Sequence, residues 1–176
     1  MKKLLFATCI GIYSPFAFAQ ELERNYKVEL GFQGISVGAE LPVGNKFLAD
    51  VQLGWGGVTD FNGNGIAYEW SSRSRSAFLK GQMRYYLNRE RRATKGRSLR
   101  HNAGTFLAFQ TKYYFNGVED YQIGKYWLNE LQFGQQLPMG NHFFYRYHVG
   151  IGYANDLDYN YTTFYPAIGL GFGFSF

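Results

Sequence analysis

The amino-acid sequence predicts an all-β protein, an eight-stranded antiparallel up-and-down β-barrel that crosses a membrane. First, apolar and polar residues alternate along much of the chain after residue 20, and this period of two is typical of strands with two different faces. Second, every second residue from Phe164 to Phe176 is apolar, while the residues between them are mostly small. Third, beyond residue 19 no apolar run approaches the roughly 20 residues of a spanning helix. In lipid, a closed barrel is then the remaining solution.

The N-terminus has the pattern of a secretory signal peptide, predicted here as residues 1–19. Lys2 and Lys3 precede an apolar run, and Ala17-Phe18-Ala19 is a cleavage site of small residues before Gln20. Residues 20–176, about 157 in number, are predicted to form one outer-membrane barrel domain. The single cysteine lies within the signal, so we expect no disulfide in the exported domain.

Eight segments follow the period-two pattern, each near the 9 to 11 residues that a tilted crossing requires. They are Arg24–Phe32, Ile35–Val43, Lys46–Gly56, Ser74–Leu87, Ala103–Phe115, Lys125–Leu137, His142–Tyr153 and Thr163–Phe176. If the residues between Gly31 and Gly34 form only a bulge, the first two segments merge and the count falls to seven.

The pattern Leu-Pro-x-Gly-Asn-x-Phe occurs at 41–47 and again at 137–143, and it predicts two tight turns. An even strand count places both chain ends and these turns on the periplasmic side. The external loops are then predicted at 58–73, 116–124 and 154–162. With seven strands, the predicted tight turns and the predicted external loops would exchange sides of the membrane.

The two faces of the predicted strands differ sharply in chemistry. One face is apolar, with Tyr and Trp concentrated near the strand ends, as expected at membrane interfaces. The other face carries five cations, four carboxylates and a histidine, which we predict to form a charge-balanced network in the lumen. These residues are Lys27, Glu29, Glu40, Asp50, Lys80, Arg84, Lys112, Glu130, Arg146 and His148.

A water-soluble barrel of the lipocalin kind would use the same alternation with the faces exchanged. Its interior would have to hold roughly 45 mostly large apolar side chains, and eight strands leave too little room for them. The apolar face is therefore predicted to contact lipid.

The signal peptide, the terminal Phe174-Ser175-Phe176, the alternating segments and the internal charged set together resemble small outer-membrane barrels of the OmpA and OmpX type. The chain looks most like the porin-like barrel proteins of Bacteroidota. The resemblance implies a cell envelope location in a Gram-negative outer membrane, contact with lipid and lipopolysaccharide, a monomer and no cofactor. It also implies that Phe172, Phe174 and Phe176 are the signal read by the outer-membrane assembly machinery.

The favoured function is non-enzymatic: a structural or loop-mediated binding role in the cell envelope, since a filled lumen leaves the loops as the variable surface. One alternative is a narrow channel for ions or small solutes, with gaps left by the strand glycines. A second is an enzyme that modifies lipid A. His101, His142 and His148 each lack the serine two residues later that the lipid A deacylase motif has, which counts against this second alternative.

A run of like charges, the basic segment, is predicted to form a solvated turn. Its cations are Arg89, Arg91, Arg92, Lys95, Arg97 and Arg100. On the periplasmic side it could contact anionic cell-wall polymer or inner-leaflet phospholipid, and outside it would meet lipopolysaccharide phosphates. Nucleic acid is excluded as a partner because an exported barrel does not meet it and no stacking motif accompanies the run.

The sequence from Asp60 to Gly65 matches the start of a calcium-binding loop, with oxygen ligands at alternate positions and a glycine at the sixth. The twelfth position is Ser71 instead of a bidentate glutamate. A glycine and asparagine turn is therefore the favoured interpretation, and no metal is predicted.

Overall fold

The computed structural model describes residues 21–32, 34–62, 65–69, 75–115, 125–157 and 161–176. The predicted signal peptide lies outside these residues. The described residues form nine strands, one short α-helix and one 3₁₀ turn. The strands are β1 (Asn25–Gly31), β2 (Gly34–Pro42), β3 (Phe47–Asn62), β4 (Gly65–Glu69), β5 (Arg75–Tyr86), β6 (Gly104–Tyr114), β7 (Tyr126–Met139), β8 (Phe143–Asp156) and β9 (Tyr161–Ser175). The helix α1 is Arg89–Thr94, and the 3₁₀ turn is Arg100–Asn102.

Eight of these strands form a closed antiparallel ring. The order β2-β1-β9-β8-β7-β6-β5-β3 closes through the pairing of β2 with β3. The first and last strands meet with Lys27 opposite Ser175, and Phe176 N donates to Tyr26 O at 2.9 Å. The predicted eight-stranded antiparallel barrel is therefore confirmed. The seven-strand alternative is wrong, because β1 and β2 pair as a hairpin with Leu30 opposite Ile35.

The ninth strand corrects the prediction of a loop over residues 58–73. β3 continues to Asn62, and β4 pairs with this extension, Val58 lying opposite Glu69. β4 has no partner other than β3 among the described strands, so it lengthens a hairpin and adds nothing to the ring. The Asp60–Gly65 segment, predicted to be a glycine and asparagine turn, falls at the tip of this hairpin, where residues 63–64 and the neighbouring side chains lie outside the described residues.

The two ends of the barrel differ. At one end, which we call the proximal end, lie both ends of the described chain, the connections from β2 to β3 and from β7 to β8, and the basic segment between β5 and β6. At the opposite, distal end lie the β1–β2 turn, the β3–β4 hairpin and the connections that follow β6 and β8. The basic segment thus shares an end with both ends of the described chain.

Burial alternates along the strands, as the sequence pattern predicts. Inward side chains are buried and outward ones are exposed, so that β6 is buried at every second residue from Gly104 to Tyr114. The exposed positions include many large apolar residues; Leu131 and Ile151, opposite one another on β7 and β8, are each 66% exposed. Among the described residues, no helix is both long and apolar enough to cross a membrane.

The basic segment is more ordered than the solvated turn predicted for it. It contains α1 and the 3₁₀ turn, and Arg89 and Arg92 are buried. The Arg92 guanidinium donates to Ser98 O at 2.8 Å, and that of Arg89 donates to Glu21 O at 3.2 Å. Because these arginines satisfy backbone carbonyls of their surroundings, the segment folds against the barrel despite its like charges. The other four cations remain exposed.

Inside the barrel, aromatic rings lie over glycines of the neighbouring strand. Tyr165 lies opposite Gly152, and a methyl carbon at Gly152 would come within 2.2 Å of the Tyr165 ring. Phe144 over Gly173 has the same arrangement, with a corresponding distance of 2.0 Å. The glycines therefore make room for rings, and the gaps that the channel interpretation needs at Gly152 and Gly173 are filled.

We expect Gly152→Ala to lower the free energy of unfolding by about 1–3 kcal/mol, because the added methyl group overpacks the ring of Tyr165. Urea unfolding followed by tryptophan fluorescence measures this. Gly81→Ala is the matched control, since a methyl group there would meet Thr111 at an ordinary 3.6 Å. Equal stability of the two variants would contradict the proposed packing.

Candidate functional site

The most concentrated chemistry of the barrel is a group of six charged residues in the proximal half of the lumen, which we call the ionic cluster. All six are buried, and they come from β1, β2, β3, β5 and β8. They are Lys27, Glu29, Glu40, Asp50, Arg84 and Arg146. Their inward direction follows from the period of two, which points alternate side chains of each strand into the lumen.

Asp50 is the centre of the ionic cluster, because its carboxylate contacts all three cations. Lys27 Nζ donates to Asp50 Oδ2 at 2.7 Å and to Glu40 Oε1 at 2.8 Å. Arg84 donates to both of these carboxylates, with Nη1 at 2.8 Å from Glu40 Oε1. Arg146 donates to Asp50 Oδ2 at 3.2 Å. Three cations and three carboxylates thus compensate one another in a site withdrawn from water.

Neutral side chains satisfy the remaining hydrogen-bonding groups of the ionic cluster. Gln52 Nε2 donates to Asp50 at 3.0 Å and to Glu29 at 3.2 Å. Arg84 Nη1 also donates to Gln136 Oε1 at 2.9 Å, and Asn102 Nδ2 donates to Glu40 Oε2 at 2.8 Å. A buried polar network tolerates its charges when its members are satisfied in this way. The arrangement is typical of a structural network.

Glu130, on β7, organises a second layer nearer the middle of the barrel. Its carboxylate accepts hydrogen bonds from Gln110 Nε2 at 3.0 Å, from Tyr165 Oη at 2.7 Å and from Gln132. His148 Nε2 lies 3.9 Å from Glu130 Oε2, beyond direct hydrogen-bond distance. This layer links β6, β7 and β9.

The two remaining lysines of the predicted network have different surroundings. Lys112 Nζ donates to Tyr114 Oη at 2.6 Å and lies 3.8 Å from the centre of the Phe78 ring, a cation–π distance. Lys80 lies opposite Lys112 on the neighbouring strand, and its nearest carboxylate is Glu29 at 3.9 Å. The structure therefore places all ten predicted lumen residues inside the barrel, with Lys80 and His148 the most loosely paired.

Apolar clusters lie on both sides of the polar layers along the barrel axis. The proximal cluster contains Leu48, Tyr86 and Phe106, together with Leu22 and Ala108. The distal cluster consists of Phe78, Tyr114, Leu128, Ala154, Tyr165 and Ala167. Within the part of the chain that the structure describes, three or more His, Cys, Asp or Glu residues nowhere form a group that could hold a metal ion.

The proximal end is covered by the residues before β1 and by the basic segment with its 3₁₀ turn. Asn102 connects these two parts: its side chain bonds to the backbone N and O of Glu23 at 2.7 and 2.9 Å, as well as to Glu40. Its φ of 53° is a left-handed conformation that asparagine tolerates. Burial lowers the pKa of the neighbouring Arg89 guanidinium from its usual value. The lumen is thus covered at the proximal end of the barrel.

The residues of the predicted assembly signal lie at the end of β9, the strand that closes the ring; Phe172 and Phe174 belong to β9 and Phe176 follows it. Phe172 is opposite Leu30 of β1, and Phe174 is opposite Val28. The Phe174 ring contacts those of Phe143 and Phe176 at centroid distances of 5.1 Å. Phe172, Phe174 and Phe176 therefore lie on the outer face of the barrel at its proximal end.

Asp156 and Asn102 are among the buried polar residues that the sequence interpretation missed. Asp156 is inward on β8, in phase with Arg146 and His148, and extending that strand by three residues would have revealed it. Asn102 lies in a connection with no periodicity, so only the folded chain shows that it reaches Glu40.

Comparisons of the chain with protein-family models, with curated proteins and with solved structures found no match. The fold and the site therefore define the chain as a closed eight-stranded antiparallel barrel with an enclosed ionic network.

We expect Asp50→Asn to lower the free energy of unfolding by about 3–5 kcal/mol, because Lys27, Arg84 and Arg146 would all lose a charged partner inside the barrel. Urea unfolding followed by tryptophan fluorescence measures the change. Glu90→Gln is the control: it removes the carboxylate of the exposed pair with Lys46, and we expect no measurable effect. An Asp50→Asn barrel as stable as this control would show that the ionic cluster contributes nothing to stability.

Proposed function

We propose that this chain is an integral outer-membrane β-barrel, exported by the signal at residues 1–19, with a non-enzymatic structural or loop-mediated binding role in the cell envelope. The observation that carries the proposal is the distribution of side chains across the barrel wall. Charged residues are enclosed, while large apolar residues are exposed around the ring. A soluble monomer rarely exposes an apolar surface of this extent, because its contact with water is unfavourable.

The outer surface has the composition expected of a lipid-facing wall. Leu, Ile, Val and Phe dominate the exposed positions of the ring strands. Aromatic residues such as Tyr26, Phe47, Trp127 and Phe176 lie toward the strand ends, as expected of interfacial girdles. A barrel in water would expose its charged residues and bury its apolar ones, which is the reverse of the observed distribution. In a bilayer, lipid contacts the apolar surface and the wall encloses the ionic cluster, so both positions are favourable.

The packed interior favours an anchor over the narrow channel that is the alternative function. A solute moving along the axis would have to pass both apolar clusters and the cover at the proximal end. Eight strands enclose only enough space for their own side chains. Because the inward residues are engaged with each other, we place the binding function in the connections, which are the parts free to vary.

The even number of ring strands gives the proposed barrel a definite orientation in the membrane. With the chain ends in the periplasm, the basic segment also lies there, and the exposed cations Arg91, Lys95, Arg97 and Arg100 face inner-leaflet phospholipid or anionic cell-wall polymer. The distal connections then face lipopolysaccharide. Residues 116–124, in the second of the predicted external loops, lie outside the described residues.

We expect Leu131→Arg to lower the free energy of unfolding from phosphatidylcholine vesicles by about 2–4 kcal/mol, because the cation would lie near the middle of the hydrocarbon layer. Met139→Arg is the matched control: it is exposed and apolar on the same strand, but it lies at the proximal end, where the cost falls to about 0–1 kcal/mol. A wild-type barrel that folds in detergent-free buffer and tolerates both substitutions equally would contradict the membrane proposal.

The assembly role of the terminal strand can be separated from its packing. We expect Phe176→Ala to reduce several-fold the amount of barrel recovered in the outer membrane of a Gram-negative host. Spontaneous refolding into vesicles should be unchanged, since Phe176 is 73% exposed. Phe164→Ala changes an equally exposed phenylalanine, 74%, at the other end of the same strand and should assemble normally. Equal recovery of both variants would show that Phe176 is not part of the signal.

A further inference from the structure

The wall of the barrel is shorter where the β1–β2 hairpin stands than on either side of it. β1 pairs with β9 only over residues 171–175, and the last hydrogen bond along this edge runs from Phe32 N to Leu170 O at 3.3 Å. β9 begins ten residues earlier, at Tyr161, and pairs with β8 alone over that length among the described strands. On the other side, β2 leaves β3 at Trp55, although β3 continues to Asn62. We call the place beyond the hairpin tip the side opening.

A cavity of about 50 Å³ connects the side opening with the lumen. The inward residues that line it include Glu29, Lys80, Arg146 and His148. The lining also includes Ile168 and Leu170, whose side chains belong to the outer face of β9. A cavity lined by residues of both faces reaches from the polar interior to the wall itself. Its size is sufficient for a few water molecules or one small polar group.

Lys80 is the lining residue whose charge determines which kind of ligand this cavity could bind. It is only 9% exposed and lines the cavity, and its ion-pair partner, Glu29, is 3.9 Å away. Glu29 is already engaged by Arg146 and Gln52. By contrast, Lys27 and Arg84 each have carboxylate oxygens within 2.8 Å. Among the described residues, the Lys80 ammonium has no carboxylate closer than Glu29, so part of its hydrogen-bonding capacity is available to a group in the cavity that it lines.

The other charged and titratable groups around the cavity leave a positive excess. Arg146 and Lys80 carry positive charge, Glu29 carries negative charge, and the imidazole of His148 lies against Gly169. Behind the lining lie Lys112, opposite Lys80 on β6, and Glu130, whose Oε2 is 3.9 Å from His148 Nε2, and their charges are opposite. Gln110 and Ser36 contribute neutral hydrogen-bonding groups to the lining. A small oxyanion would complete the hydrogen bonding of Lys80 and offset this charge.

We propose that the side opening is a binding site for an anionic phosphate or carboxylate group, which Lys80 holds through the cavity. The inference rests on the proposed outer-membrane function. The seven residues of β1 rise about 18 Å along a tilted strand, so the hairpin tip lies within the roughly 25 Å apolar band and toward its distal side. There an amphiphile can place its charged head in the cavity while its alkyl chain lies against exposed residues such as Ile168.

Beyond the hairpin tip, β9 pairs only with β8 among the described strands, which agrees with this position. A polar occupant beside Ile168 would hydrogen-bond to this edge of the strand, where hydrocarbon offers no partner. The same anionic group could come from a free ion, and the experiment has to distinguish the two sources.

The test uses the barrel refolded in micelles of a neutral detergent, with ¹⁵N-labelled glycine. Gly31, Gly34, Gly169 and Gly171 line the cavity, and their amide resonances report on its occupation. Two probes are titrated, inorganic phosphate and dodecyl phosphate. We expect dodecyl phosphate to shift these resonances saturably, and Lys80→Met to weaken its binding about tenfold, as loss of a charge-assisted hydrogen bond would. Lys80→Arg should retain binding.

Lys46→Met is the control for net charge, because it removes one lysine charge at the exposed proximal turn and should bind dodecyl phosphate like the wild type. Saturable shifts with inorganic phosphate as well would identify a free anion as a sufficient ligand, and shifts with dodecyl phosphate alone would identify an amphiphile. Binding that is unchanged in Lys80→Met, or no saturable shift with either probe, overturns the inference.

The outcomes separate this inference from the proposed function. A wild-type barrel that inserts into vesicles but binds neither probe retains its outer-membrane role and loses the site. A chain that does not insert contradicts the proposed function, and the inference survives in that case only if inorganic phosphate shifts the four glycine resonances. Far-ultraviolet circular dichroism of each Lys80 variant verifies that the barrel still folds.

Discussion

The enclosure of charge by a ring of only eight strands is the constraint on which the rest of this structure depends. Such a ring has room for its own side chains and almost nothing else. Charges that point inward must therefore compensate one another at hydrogen-bond distance, because water cannot surround them. Asp50 meets this requirement by contacting Lys27, Arg84 and Arg146 together. The contacts join β1, β3, β5 and β8, so the same interactions that neutralise the lumen also hold opposite parts of the wall together.

Aromatic side chains packed against glycines fill much of the remaining volume of the lumen. Where a large ring points inward, the strand beside it has a glycine, as for Tyr165 beside Gly152 and Phe144 beside Gly173. The polar layers lie between two apolar clusters, and the basic segment with the residues before β1 covers the proximal end. The packing is incomplete at the cavity beside Lys80, which coincides with the short part of the wall at the β1–β2 hairpin.

Local patterns in the sequence predicted the eight ring strands and the inward direction of the ten predicted lumen residues, since alternation specifies a face wherever one face is buried. They did not predict the hairpin extension made by β4, because the glycine and asparagine residues near its tip read equally well as a loop. The helix in the basic segment was also missed. A run of like charges indicates a solvated turn, and only contacts with distant carbonyls such as Glu21 O make burial of Arg89 favourable.

By itself, the sequence determined the antiparallel barrel class and the inward direction of the ten predicted lumen residues, because these follow from the period of two. The choice of eight ring strands over seven was decided by the pairing of β1 with β2. The tertiary structure alone decided which charges pair, that Asn102 reaches Glu40, and that Lys80 is left with a distant partner beside an opening in the wall. The physical reason is that a strand pattern gives the direction of a side chain, whereas its partner depends on the register and closure of the whole ring.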